Sequence, residues 1–141
     1  MTSPQYSLVA GAVLTCLAAL LHFVCIIWPE GFRIMGAGES ISRLAITGHW
    51  YPRVAAIVIG SMLLVWAAYA FSGAGLIVPL PFTKLALTAI TGVYLLRGIA
   101  FPLLIPAFPG NSMTFWYVSS GIFLLIGGLH VAGLIRIWSN G

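Results

Sequence analysis

The sequence predicts an all-α integral membrane protein: a four-helix transmembrane bundle with a short interfacial helix between the first two spans. Three observations lead there. Hydrophobic residues make up 61% of the 141-residue chain and charged ones 6%, with a mean hydropathy of +1.10, so too few polar groups exist to cover a water-facing surface. Stretches 7–28, 54–71, 85–104 and 113–135 are each long enough to cross roughly 30 Å of hydrocarbon at about 1.5 Å per residue. Aromatic residues gather at the ends of these stretches, as amphipathic rings do at headgroup level. Trp28, Trp50, Tyr51, Trp116 and Tyr117 mark one side, and Tyr6, Tyr69, Phe82 and Trp138 the other.

The first span, 7–28, carries His22, Cys16 and Cys25. The cysteines lie nine positions apart, roughly 13 Å along one helix, so they read as small apolar core residues rather than a disulfide. The preceding MTSPQYS has no basic stretch and no cleavage site, which predicts that the first span is retained. Within the first connection, GESISRLAITG predicts a helix over 39–47. Glu39 suits the helix dipole in its first turn, and Gly48 suits the left-handed conformation beyond its end. Ile41, Leu44 and Ala45 form one apolar stripe, which lays this helix flat at the interface. Pro52 then opens the second span, where a missing amide proton costs nothing.

SGAGLIVPLP is a short Gly/Pro turn before the third span, 85–104, with Lys84 at its start and Arg97 inside it. The third connection, FPLLIPAFPGNS, is apolar but interrupted by Pro102, Pro106 and Pro109. Its backbone groups need partners near the bilayer, which predicts a lid or re-entrant turn folded over the bundle. Small residues recur four apart, at Gly11 and Thr15, Ala56 and Gly60, Thr88 and Gly92, and Gly128 and Ala132, the spacing that lets helix backbones approach closely in lipid. Short connections leave no room for a soluble domain, so residues 1–141 read as a single transmembrane domain.

Charge is concentrated. RIMGAGESISR, residues 33–43, holds Arg33, Glu39 and Arg43, with Glu30 and Arg53 just outside it. The formal charge of +4 is no nucleic-acid signal, because scattered helix-end cations make no stripe that could follow a phosphate backbone. Glu39 and Arg43 have the order and spacing of an exposed helical pair worth roughly 0.2–0.5 kcal/mol. Arg97 raises a sharper expectation. An arginine well inside a span costs roughly 2.5–3.5 kcal/mol on insertion scales, so it normally faces the interior with a partner. The chain's two acids, Glu30 and Glu39, both lie in the first connection on the side toward which Arg97 leans. The expectation is therefore an inward fold of the loop that pairs Glu39 with Arg97, with Arg53 as a third member.

His22 lies under this polar segment, where it could relay a proton or bind a ligand carbonyl. His130 reads as a hydrogen-bonded interior histidine, and His49 as interfacial. The depths of His22 and His130 differ by roughly 9 Å across a core of about 30 Å, too far for two axial haem ligands. His22 and Cys25 alone do not make a metal site, so no metal is expected. No phosphate-binding glycine loop, nucleophile elbow or metalloprotease helix is present, and no cofactor is identified.

The plan of four short spans, with YLLRG at 94–98 in the third, resembles the DoxX-like superfamily of small bacterial inner-membrane proteins. Some members are associated with quinone-linked redox complexes, so the resemblance implies a bacterial inner-membrane accessory protein. The charged first connection departs from that plan.

Together these readings predict a module that binds a lipid-like or quinone-like ligand, or a partner membrane subunit, at a charged mouth. Its expected binding residues are Glu39, Arg53, Arg97, His22, Trp50 and Trp116. Expected partners are membrane lipids and either further copies of the chain or a membrane complex. The alternative is an intramembrane enzyme on a lipidic substrate, with Glu39 as acid or base, Arg97 stabilising negative charge and His22 as a further candidate. A transporter ranks third, because four short helices enclose little polar path. Arg33, Arg43 and Arg53 on one face outnumber Lys84 and Arg136 on the other, and a strict count puts that face in the cytoplasm. If those arginines form a site, the count is silent.

Overall fold

The computed structural model describes residues 2–139, whose regular elements are all helices, with no strand among them. Helix α1 spans Ser3–Ile27, α2 Gly31–Ile34, α3 Glu39–Ile46, α4 Trp50–Gly73, α5 Thr83–Ile99, α6 Phe101–Leu104 and α7 Met113–Ser139, with a 3-10 turn at Ile105–Ala107. Helices α1, α4 and α7 are long and apolar enough to cross a membrane, and α5 with its bent continuation makes a fourth if counted as one span.

The helix that opens the third span is shorter than its hydropathy predicts. It stops at Ile99, and the chain from Phe101 to Ala107 runs at 74° to it. Pro102 explains the break: it has no N–H to give the Gly98 carbonyl, and its ring would clash with that carbonyl if α5 continued. The Ala100 amide closes α5 on the Leu96 carbonyl at 2.8 Å. Arg97 consequently lies in the last turn of α5, about 3 Å along the axis from the helix end. A helix occupies Glu39–Ile46, where one is expected over 39–47, between Gly38 at φ 90° and Gly48 at φ 84°, while the single-turn helices α2 and α6 lie outside the expected elements.

The long helices form a ring in which α1 packs against α4 and α7, α7 also packs against α5, and α4 touches α5 more sparingly. Two of the four small-residue pairs serve this packing: Gly11 with Thr15, and Ala56 with Gly60, are buried. Gly11 admits the His130 ring so closely that a Cβ there would stand 2.8 Å from Cε1. The pairs Thr88 with Gly92, and Gly128 with Ala132, face outward instead.

Ala12, Ala70, Leu87, Ile90, Tyr94 and Ile126 form the core. Across its centre the Tyr94 and Thr15 hydroxyls meet at 2.7 Å, and Thr15 also donates to the Gly11 carbonyl at 2.8 Å. His130 is buried, with Nδ1 2.8 Å from the Ile126 carbonyl, as expected of a hydrogen-bonded interior histidine. The outer faces are apolar as well, with Leu17, Val58, Leu96 and Leu125 exposed.

Candidate functional site

The two connections on the charged face clasp one another. The Glu39 amide donates to the Pro109 carbonyl at 3.0 Å, and Asn111 Nδ2 donates to the Gly36 and Phe108 carbonyls, each at 3.2 Å. Gly36, at φ 79°, sits directly on the Phe115 ring, a placement that excludes a side chain both by backbone conformation and by space. Between the connections lies an open cleft of about 380 Å³ lined by Arg33, Gly38, Glu39, Ser42, Gly110 and Asn111.

The clasp does not carry a carboxylate inward. Glu39 Oε1 lies 3.4 Å from Arg43 Nη2, and Glu30 Oε2 lies 3.3 Å from Arg33 Nη1, with all four side chains more than half exposed. Both acids pair within one turn of their own segment. The expected pairing of Glu39 with Arg97 is therefore not formed, and Arg53, exposed at the start of α4, is no third member.

Arg97 turns toward α7 instead. Its Nη2 donates to Ser119 Oγ at 2.8 Å, and Nη1 reaches Ser120 Oγ at 3.5 Å. The guanidinium lies over two aromatic faces, with Cζ 4.6 Å from the Phe123 centroid and 5.4 Å from that of Trp116. Hydroxyl dipoles and ring quadrupoles thus solvate the cation where a carboxylate was expected. The 3.6-residue helical period puts Trp116, Ser119, Ser120 and Phe123 on one face of α7. Trp116, expected at the interface, is 2% exposed, packed by Phe101 and Phe115. Its Nε1 is buried and has no hydrogen-bond partner among the described residues.

Of the six expected binding residues, a cation–π contact joins Arg97 and Trp116. Glu39 lines the open cleft, Trp50 stacks on His49 at the surface with centroids 5.7 Å apart, and Arg53 is exposed. His22 bonds back to its own helix, with Nδ1 2.7 Å from the Ala18 carbonyl. Among the described residues no hydrogen bond or ion pair links any two of Glu39, Arg97 and His22. No group of three or more His, Cys, Asp or Glu side chains capable of holding a metal occurs among them either.

Ser119, Ser120 and Phe123 escaped the sequence reading. The signal was the serine pair itself, two adjacent hydroxyls one turn beyond Trp116 in a span with no charged residue. The chain matches no protein-family model, no curated protein and no solved structure.

Proposed function

We propose that this is a multi-pass membrane protein, with α5 and its bent continuation as the fourth passage, which holds an amphiphilic molecule by an acceptor-bearing head at Arg97 and Trp116. One observation carries the reading. A half-buried guanidinium with no carboxylate partner among the described residues lies over the ring of Trp116, whose buried indole N–H has no acceptor among them. Leaving such a donor unpaired costs roughly 1–3 kcal/mol, and a ligand head that accepts from the cluster relieves that cost.

The placement suits an amphiphile. Arg97 sits in the last turn of α5, at headgroup level if the helix spans the bilayer. Below it, Leu96 and Val93 are exposed on the same helix, and an apolar tail would lie against such a surface. Lipid-like and quinone-like molecules both have this form. The enzyme reading receives no comparable support, because Glu39 is exposed and paired with Arg43 rather than facing the cluster.

Native mass spectrometry of the full chain, extracted in mild detergent, tests the reading. The expected result is a retained small-molecule adduct on the wild type that is absent from Arg97→Met. A wild type that carries no adduct, and takes none when membrane lipids or quinones are added back, overturns it.

A further inference from the structure

The donor and acceptor inventory of the cluster narrows the ligand further. A guanidinium has five N–H donors and no acceptor, and Arg97 engages two serine oxygens with them. The Ser119 and Ser120 hydroxyls accept from Arg97 and make no other hydrogen bond among the described residues, so each retains its own proton to donate. Trp116 adds its unpartnered N–H. Every polar side chain in the cluster therefore has a donor left over.

The charge balance points the same way. Glu30 and Glu39 are the chain's two acids, and both are held in local surface pairs with Arg33 and Arg43. Two of the faces around Arg97 are aromatic rings, which stabilise a cation without neutralising it. A neutral carbonyl would accept a hydrogen bond and leave the charge as it is. An oxyanion does both, and two oxygens on one centre match the guanidinium fork.

Resting on the amphiphile reading above, we infer that the head held by Arg97, Ser119, Ser120 and Trp116 is a singly charged oxyanion, a phosphodiester or carboxylate, and not a neutral quinone carbonyl. The same chemistry is available from an anionic lipid headgroup or from a free anion in the adjoining water.

The test uses the full chain in detergent with three amphiphiles at equal concentration, followed by native mass spectrometry. These are phosphatidylglycerol, phosphatidylcholine of the same acyl chains, whose phosphate is neutralised by its own choline, and a decyl-tailed benzoquinone. The expected result is retention of phosphatidylglycerol over phosphatidylcholine by about tenfold or more, the scale of one charge-assisted contact. That preference falls to near parity in Arg97→Met and is partly kept in Arg97→Lys. Trp116→Phe, which keeps the packing ring and removes the N–H, lowers retention even if Arg97→Met folds poorly. Displacement of phosphatidylglycerol by millimolar inorganic phosphate supports the oxyanion class with a soluble source, and resistance to it supports the lipid source. Retention of the benzoquinone that depends on Arg97, with no preference between the lipids, overturns the anionic head while the amphiphile reading stands. No Arg97-dependent retention of any probe overturns both.

Discussion

Replacing Thr15 with valine tests the hydroxyl contact at the centre of the bundle, and the structure gives the perturbation a direction. A threonine hydroxyl has one proton. Thr15 directs its proton to the Gly11 carbonyl at 2.8 Å, so in the 2.7 Å contact with Tyr94 the tyrosine is the donor. Both residues are essentially inaccessible, at 0% and 1% exposure. In Tyr94→Phe the donor disappears and Thr15 keeps its bond to Gly11, so the loss is one net hydrogen bond, about 0.6 and at most roughly 1.7 kcal/mol by the scale measured in membrane helices. In Thr15→Val the Tyr94 hydroxyl stays behind, buried and without an acceptor, which costs roughly 1–3 kcal/mol. Thr15→Val should therefore be the more damaging change, and Thr15→Val with Tyr94→Phe should be milder than the sum of the two. The assay is thermal unfolding of all four proteins in one detergent, completing a double-mutant cycle. Equal single effects that simply add would refute the donor assignment and the energetic role of the contact.

The glycines give a contrast within one helix. A Cβ at Gly133 would overlap the Leu8 side chain, whereas one at Gly128 meets nothing within 4 Å. Gly133→Ala should lower the melting temperature through overpacking worth roughly 1–3 kcal/mol, while Gly128→Ala should be neutral or stabilising by up to about 1 kcal/mol. The exposed pair of Glu39 and Arg43 predicts that Glu39→Gln changes stability by less than about 0.5 kcal/mol. Combined with Arg97→Met, its effect should add without coupling, and a recovery of stability in the double variant would restore the expected Glu39 to Arg97 pairing.

Much of the fold was legible because it follows from counting. Hydrocarbon thickness and helical rise turn apolar run length into helix number, so α1, α4 and α7 fall close to their expected positions. The 74° break in the third span was not legible in hydropathy, which ignores backbone breaks: Phe101–Leu104 is apolar enough to continue α5, but Pro102 separates it. The small-residue spacing was an ambiguous guide. It recurs on every span, and which copies face a neighbour depends on each helix's rotation in the bundle, which periodicity alone does not fix.

The sequence by itself determined that the chain is an assembly of apolar helices, that its polar residues gather at one end, and that Arg97 is the cation needing an account. Only the tertiary structure decided what answers it. Scarcity of acids pointed to Glu39, yet a carboxylate one helical turn from Arg43 pairs there with no rearrangement of the backbone that carries it. Arg97 meets Ser119 and Ser120, 22 and 23 residues away, because α5 and α7 pack side by side with those faces turned together. A contact between helices depends on their relative rotation and depth, quantities to which every packed side chain contributes and which no local run of residues specifies.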